Sequence, residues 1–152
     1  MTARMTNPAT ILPGMVKAVP HLLGAVETAG IPVVLRELIG LRISQINGCA
    51  ACVYAHAANL RAEDESTDRL DTLPVWRESP FFTDAERAAL ALAESATRLA
   101  DSPTDAVLDA VWDEAADHFD EKELAGLIVL IGTMNFFNRL NVTIKEPAGV
   151  TW

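Results

Sequence analysis

The sequence predicts an all-α fold, and three observations carry that expectation. No segment alternates apolar and polar residues with the β-branched enrichment of a strand. Apolar residues recur instead at helical spacing through most of the chain. Helix-start signals also recur, in Pro32, in the capping box Thr83-Asp-Ala-Glu86 and in Asp120-Glu-Lys-Glu123.

Taken in order, Pro8, Pro13 and Pro20 break up the start of the chain, and the first helix is expected over Met15 to Ala29, ended by Gly30. Pro32 opens a second helix to about Ile46. Its apolar side holds Val34, Leu35, Leu38, Ile39, Leu41 and Ile46, while Glu37, Gly40 and Ser44 form a small polar stripe at i, i+3, i+7. Asn47-Gly48 breaks that helix, and a third runs from Cys49 to about Arg61. Residues 62–71 read as a polar connection and residues 73–80 as an ordered loop. Thr83 starts a helix to about Leu99. Ser102-Pro103 starts another, with Val107, Leu108, Val111, Trp112 and Ala115 at helical spacing. The last runs from Asp120 to about Leu140, and residues 141–152 read as a tail whose Trp152 packs on a neighbour. Trp76 and Trp112 are expected in the core or an interface.

A chain of 152 residues suits one domain, residues 1–152. Its hydrophobic fraction of 50% and mean hydropathy of +0.19 are high for so small an interior, which points to apolar surface shared between subunits. The most apolar stretch, Leu124 to Met134, is diluted by Gly126, Gly132 and Thr133 and falls short of the roughly 20 apolar residues of a membrane span. No membrane partner is expected. Residues 1–8 lack the apolar run of a signal peptide, so the cytoplasm is the default compartment. The net charge is −9, and 18 of the 21 acidic residues lie between Glu63 and Glu123. Such a field repels phosphate and argues against nucleic acid as a partner.

The chemistry concentrates in Cys49-Ala-Ala-Cys52-Val-Tyr-Ala-His56. The two cysteines are the only ones in the chain, and a close pair in a reducing compartment suggests redox work or a metal. At i and i+3 they are near enough for a disulfide. In the first turn of a helix, backbone N–H groups and the dipole stabilise a thiolate, making one cysteine a nucleophile and the other its resolving partner. His56, four residues after Cys52, falls on the same helix face, where an imidazole can take a thiol proton. An antiparallel return after Asn47-Gly48 would bring the Glu37 stripe over the cysteines, where a carboxylate could orient His56 or exchange a proton with it. Zinc held by Cys49, Cys52, His56 and Glu37 is the competing reading, although no second ligand pair follows. No glycine-rich phosphate loop occurs, and no organic cofactor or metal is expected.

Glu37, eleven residues, then Cys49-x-x-Cys52-x-x-x-His56 resembles the pattern of AhpD-type alkylhydroperoxidases of the carboxymuconolactone decarboxylase-like family. Leu41-Arg-Ile-Ser-Gln-Ile-Asn-Gly-Cys-Ala50, Trp76 through Leu90, His118-Phe119 and Asn135-Phe-Phe-Asn-Arg-Leu140 are similar to the small AhpD-like branch as well. The resemblance implies an AhpD-like helical bundle assembled as a dimer, trimer or hexamer. It also implies reduction of a hydroperoxide to its alcohol, with Cys52 attacking and becoming a sulfenic acid and Cys49 condensing with it to a disulfide. His56 and Glu37 would form the proton relay, and a lipoyl- or thioredoxin-like dithiol would be the reductant. Helix-end logic alone makes Cys49 the more acidic thiol, whereas the His56 offset and the family scheme favour Cys52. Ala50 and Ala51 stand where many relatives carry an aromatic residue or His, implying a wider or less polar pocket. A lactone decarboxylase like the family's namesake and a non-catalytic zinc-binding or interaction protein are the alternatives. The paired cysteines argue against the first.

Overall fold

The computed structural model describes residues 2–101 and 107–149, and every described element is helical. In order these are α1 (Pro8–Ile11), α2 (Pro13–Glu27), α3 (Val33–Asn47), α4 (Ala50–Ala62), α5 (Thr67–Thr72), a 3-10 turn (Leu73–Glu78), α6 (Asp84–Thr97), α7 (Asp109–His118) and α8 (Glu121–Ile144).

Helix α3 is the hub, packing against α4, α6 and α8. Leu35, Ile39 and Ile43 face one cluster with Leu92, Leu127, Ile131 and Phe137. Leu38 and Leu41, on the other side, meet Leu60, Leu70, Leu73, Trp76, Phe82 and Leu90. Two apolar faces leave little polar surface on α3, and the Glu37–Gly40–Ser44 stripe runs between them. Helix α8 is long and apolar enough to cross a membrane by length and composition, but more than half of that window is buried inside the fold, as in a core helix.

The capping box at Thr83–Glu86 forms as expected, and Asp120–Glu123 makes a second. Four expectations need correction. Pro20 does not break up the start of the chain; it sits exposed inside α2, which begins at Pro13 and continues to Glu27. The polar connection holds α5, a helix too short to show apolar periodicity and started by the Ser66 side chain, which accepts from Arg69 N–H. The loop after it is a 3-10 turn. Its order comes from Arg87, which donates to the carbonyls of Trp76, Arg77, Ser79 and Phe82. Finally, α8 continues through Ile144 instead of ending at Leu140. Asn141 and Ile144 are buried, and Arg4 hydrogen-bonds the carbonyls of Thr143 and Ile144.

Trp76 is buried with its indole N–H on Glu94 at 3.0 Å, whereas Trp112 is 40% exposed and is no core residue of this chain. The proposed helix start at Ser102-Pro103 and the tail residue Trp152 lie outside the described residues; the helix that follows begins at Asp109.

Candidate functional site

The site is built at the corner between α3 and α4. Helix α3 ends at Asn47, and Gly48 takes a left-handed conformation (φ 68°, ψ 31°) that a side chain would strain. The reversal returns Cys49 N–H to the Ser44 carbonyl at 3.0 Å. Cys49 is then the N-cap of α4, and its sulfur accepts from Cys52 N–H at 3.4 Å. Cys52 is the third residue of the helix, inside the turn where unpaired N–H groups and the dipole favour negative charge. The cysteines are joined as a disulfide, with Cα atoms 5.3 Å apart.

The two sulfurs differ in access. Cys49 is 1% exposed, whereas Cys52 is 7% exposed and lines a cavity of about 420 Å³. Val19 and Leu23 of α2 form one wall of this cavity, Ala51, Tyr54 and Ala55 of α4 another, and Met134 and Phe137 of α8 a third. Its polar groups are few: Glu37, His56, Asn59, Asn138 and Asn141. Ala51 and Tyr54 both line the cavity.

The α3 stripe lies against α4, as an antiparallel return requires. Glu37 Oε2 is 2.8 Å from His56 Nδ1 and also accepts from Asn59 Nδ2 at 3.1 Å. The His56 ring lies directly on Gly40, where an added Cβ would come within 2.5 Å of the ring. With Nδ1–H donating to Glu37, a neutral His56 presents Nε2 as a base. Burial pushes the Glu37 carboxyl up, but hydrogen bonding and charge from His56, helped by Asn59 and Arg36, outweigh it and hold its pKa below the ordinary 4.5. A smaller cavity of about 170 Å³ shares Leu23, Glu37, His56 and Met134. The Glu37–His56 pair therefore stands between two spaces.

The carboxymuconolactone decarboxylase family model matches residues 13–95, which include the stripe, both cysteines and His56. The chain belongs to this family. Among curated proteins it is similar to the uncharacterised protein YdfG of Bacillus subtilis (strain 168), 34% identical over 113 residues that make up 74% of this chain and 75% of YdfG. Among solved structures it is similar to ATU0492 of Agrobacterium tumefaciens, a protein of unknown function and candidate antioxidant defence protein AhpD. That match has a TM-score of 0.87 and 33% identity, and covers 99% of this chain and 100% of that one. The fold, but at 21% identity only the fold, is shared with the debrominase Bmp8, with a TM-score of 0.76 over 91% of this chain and 73% of that one. The fold is thus the all-α AhpD-like one, and the Cys49–Cys52 pair fits a peroxidase-related role.

In this family member the structure brings Glu37, Cys49, Cys52 and His56 to one corner, as the spacing predicts. Sequence reasoning missed the layer beneath them. Asn135, Asn138 and Asn141 point from α8 at the α3–α4 corner. Asn47 Nδ2 donates to Asn135 Oδ1 and Asn138 Oδ1, both at 2.9 Å. Asn138 Nδ2 donates to Ser44 Oγ at 3.1 Å, and Asn141 Nδ2 to Cys52 Sγ at 3.3 Å. Their signal was present: three asparagines at i, i+3 and i+6 on the most apolar helix mark one polar face that burial must satisfy.

Proposed function

We propose that the protein is a thiol-dependent alkylhydroperoxidase that reduces organic hydroperoxides through a Cys49–Cys52 dithiol/disulfide cycle. The observation that carries the reading is the asymmetry of the pair: Cys52 opens onto a mainly apolar cavity with the Glu37–His56 pair on its wall, and Cys49 is buried behind it. His56, oriented by Glu37, takes the Cys52 proton. The thiolate attacks the outer peroxide oxygen, the O–O bond breaks, and the alkoxide takes up a proton and leaves as the alcohol. Cys52 is now a sulfenic acid. The Cys49 thiol displaces its hydroxyl as water and closes the disulfide. An external dithiol of lipoyl or thioredoxin type returns both thiols by exchange, becoming a disulfide itself. The apolar walls favour an organic chain over hydrogen peroxide, and the four catalytic positions need no metal or organic cofactor.

The test is a titration of free thiols in the reduced, metal-free protein before and after one equivalent of an organic hydroperoxide, with the alcohol measured alongside. Loss of two thiols per chain with one alcohol formed is expected. Thiols that persist with no alcohol formed would reject the reading and turn the search to lactone chemistry.

A further inference from the structure

We propose that the side-chain amide of Asn141 stabilises the Cys52 thiolate, and that Asn7 is the positioning residue that aims it. The inference takes from the proposed function only that Cys52 is the reacting thiol. A carboxamide can turn either its oxygen or its NH2 group toward a neighbour, and facing a thiolate the two have opposite effects. Asn7 decides between them. Its Nδ2 donates to Asn141 Oδ1 at 2.8 Å, which leaves the Asn141 NH2 group for Cys52 Sγ at 3.3 Å. Asn7 is itself fixed in direction, because its Oδ1 accepts from Ala9 N–H at 3.0 Å at the start of α1, and Glu146 Oε2 lies 3.5 Å from its Nδ2. The relay therefore runs one way, from the first turn of α1 through two buried asparagines, 5% and 2% exposed, to the sulfur.

A donor held at the sulfur favours its charged form over the thiol, and it bonds a thiolate more strongly than a neutral sulfur. Ionisation of Cys52 needs nothing more than release of the S–H proton, so the relay acts before any peroxide arrives. It also explains why α8 runs on past Leu140: its last turn carries the group that meets the sulfur.

The test uses the full chain with Cys49→Ser, in which Cys52 is the one remaining thiol. Its ionisation is followed by thiolate ultraviolet absorbance and by the rate of iodoacetamide alkylation against pH. Adding Asn141→Leu is expected to raise the Cys52 midpoint, cutting the thiolate fraction below that midpoint by about tenfold or more. Asn7→Ser keeps a hydroxyl to cap α1 but is too short to reach Asn141; it should shift the midpoint the same way by less. In the Cys49→Ser protein with both asparagines intact, the NMR signals of the Asn141 side-chain NH2 group should move with the same midpoint as Cys52. This measurement decides even where Asn141→Leu fails to fold. An unchanged midpoint in the folded variants, or Asn141 signals that do not follow Cys52, would overturn the proposal. None of these readouts needs peroxide turnover. Shifts of this kind in a protein that leaves hydroperoxides intact would keep the relay and discard the peroxidase.

Discussion

Gly40→Ala sets a general rule of helices against a particular contact of this site. In a helix interior the change from glycine to alanine ordinarily stabilises by about 1 kcal/mol. Here the new Cβ would lie 2.5 Å from His56 Cε1 and 2.8 Å from both ring nitrogens. Ordinary contact needs about 3.5 Å or more, so the imidazole must move by about 1 Å. The bond from His56 Nδ1 to Glu37 is 2.8 Å long, and such a displacement carries it past hydrogen-bonding range. A bond to a charged group contributes about 1.5–3 kcal/mol, and both side chains are largely shielded, at 15% and 20% exposed. The balance is a net loss of about 0.5–2 kcal/mol, read by urea unfolding. The loss should depend on pH with a definite sign. Glu37 has its folded pKa below 4.5, so its contribution is fully present above 4.5 and disappears as pH falls through the lower folded value. The gap between parent and variant should therefore narrow in acid. The rate of peroxide-driven disulfide formation should fall with it. A variant that is about 1 kcal/mol more stable, with an unchanged His56 NMR titration and an unchanged rate, would refute the placement of the ring on Gly40.

Gly132 of α8 has open space around its added Cβ, so Gly132→Ala should show the plain propensity gain of up to about 1 kcal/mol in the same unfolding assay. Gly126→Ala, on the same helix, would place a Cβ 2.3 Å from Ala29 Cβ, which cannot rotate away, and should cost about 1–3 kcal/mol. Glu94 accepts from Arg42 Nε at 2.6 Å, from Trp76 Nε1 and from Arg77. Although burial raises its pKa, these bonds and the Arg42 charge bring it below 4.5. Glu94→Gln leaves Arg42, 13% exposed, without its charge partner and should cost about 3 kcal/mol at neutral pH. It should also flatten the stability lost by the parent as pH falls below 4.5. Asn138→Leu strips a donor from Ser44 and an acceptor from Asn47, and should lower stability by about 1–3 kcal/mol in thermal unfolding.

Periodicity after Pro32 made α3 legible, and break and start signals did the same for the others: Asn47-Gly48 for α4, Thr83 for α6 and Asp120 for α8. The chemistry was legible because four unusual residues sit at spacings that a helix–corner–helix converts into proximity. Residues 67–72 and 141–144 were not legible, and for different reasons. The first are too few for a period to show. In the second, Asn141, Val142 and Thr143 have poor helix propensity, and tertiary bonds through Arg4, Asn7 and Cys52 keep them helical. Gly40 and Ser44 were read as a polar stripe, but that one seats the His56 ring and the other receives Asn138 depends on partners 16 and 94 residues away.

The two cysteines illustrate how position in a helix and access to solvent can give opposite rankings. As N-cap, Cys49 is nearest the positive end of α4, which by itself would make it the more acidic thiol. Yet its sulfur is occupied by the Cys52 N–H and is almost wholly buried, so a substrate cannot reach it. Cys52 gives up three positions along the helix but gains the cavity, the Asn141 donor and a place one turn before His56. Each sulfur accepts one buried donor, Cys49 from the Cys52 N–H and Cys52 from Asn141, and the dipole is shared by the whole first turn, so access to the cavity is what separates the two. The three asparagines also make this arrangement hard to lose. A slip of α8 by one turn would misplace all three partners at once, each leaving a buried polar group unpaired. An apolar face could have filled the same space and tolerated sliding. The polar face holds α8 in a single register, and that register brings Asn141 to Cys52 and not to Cys49.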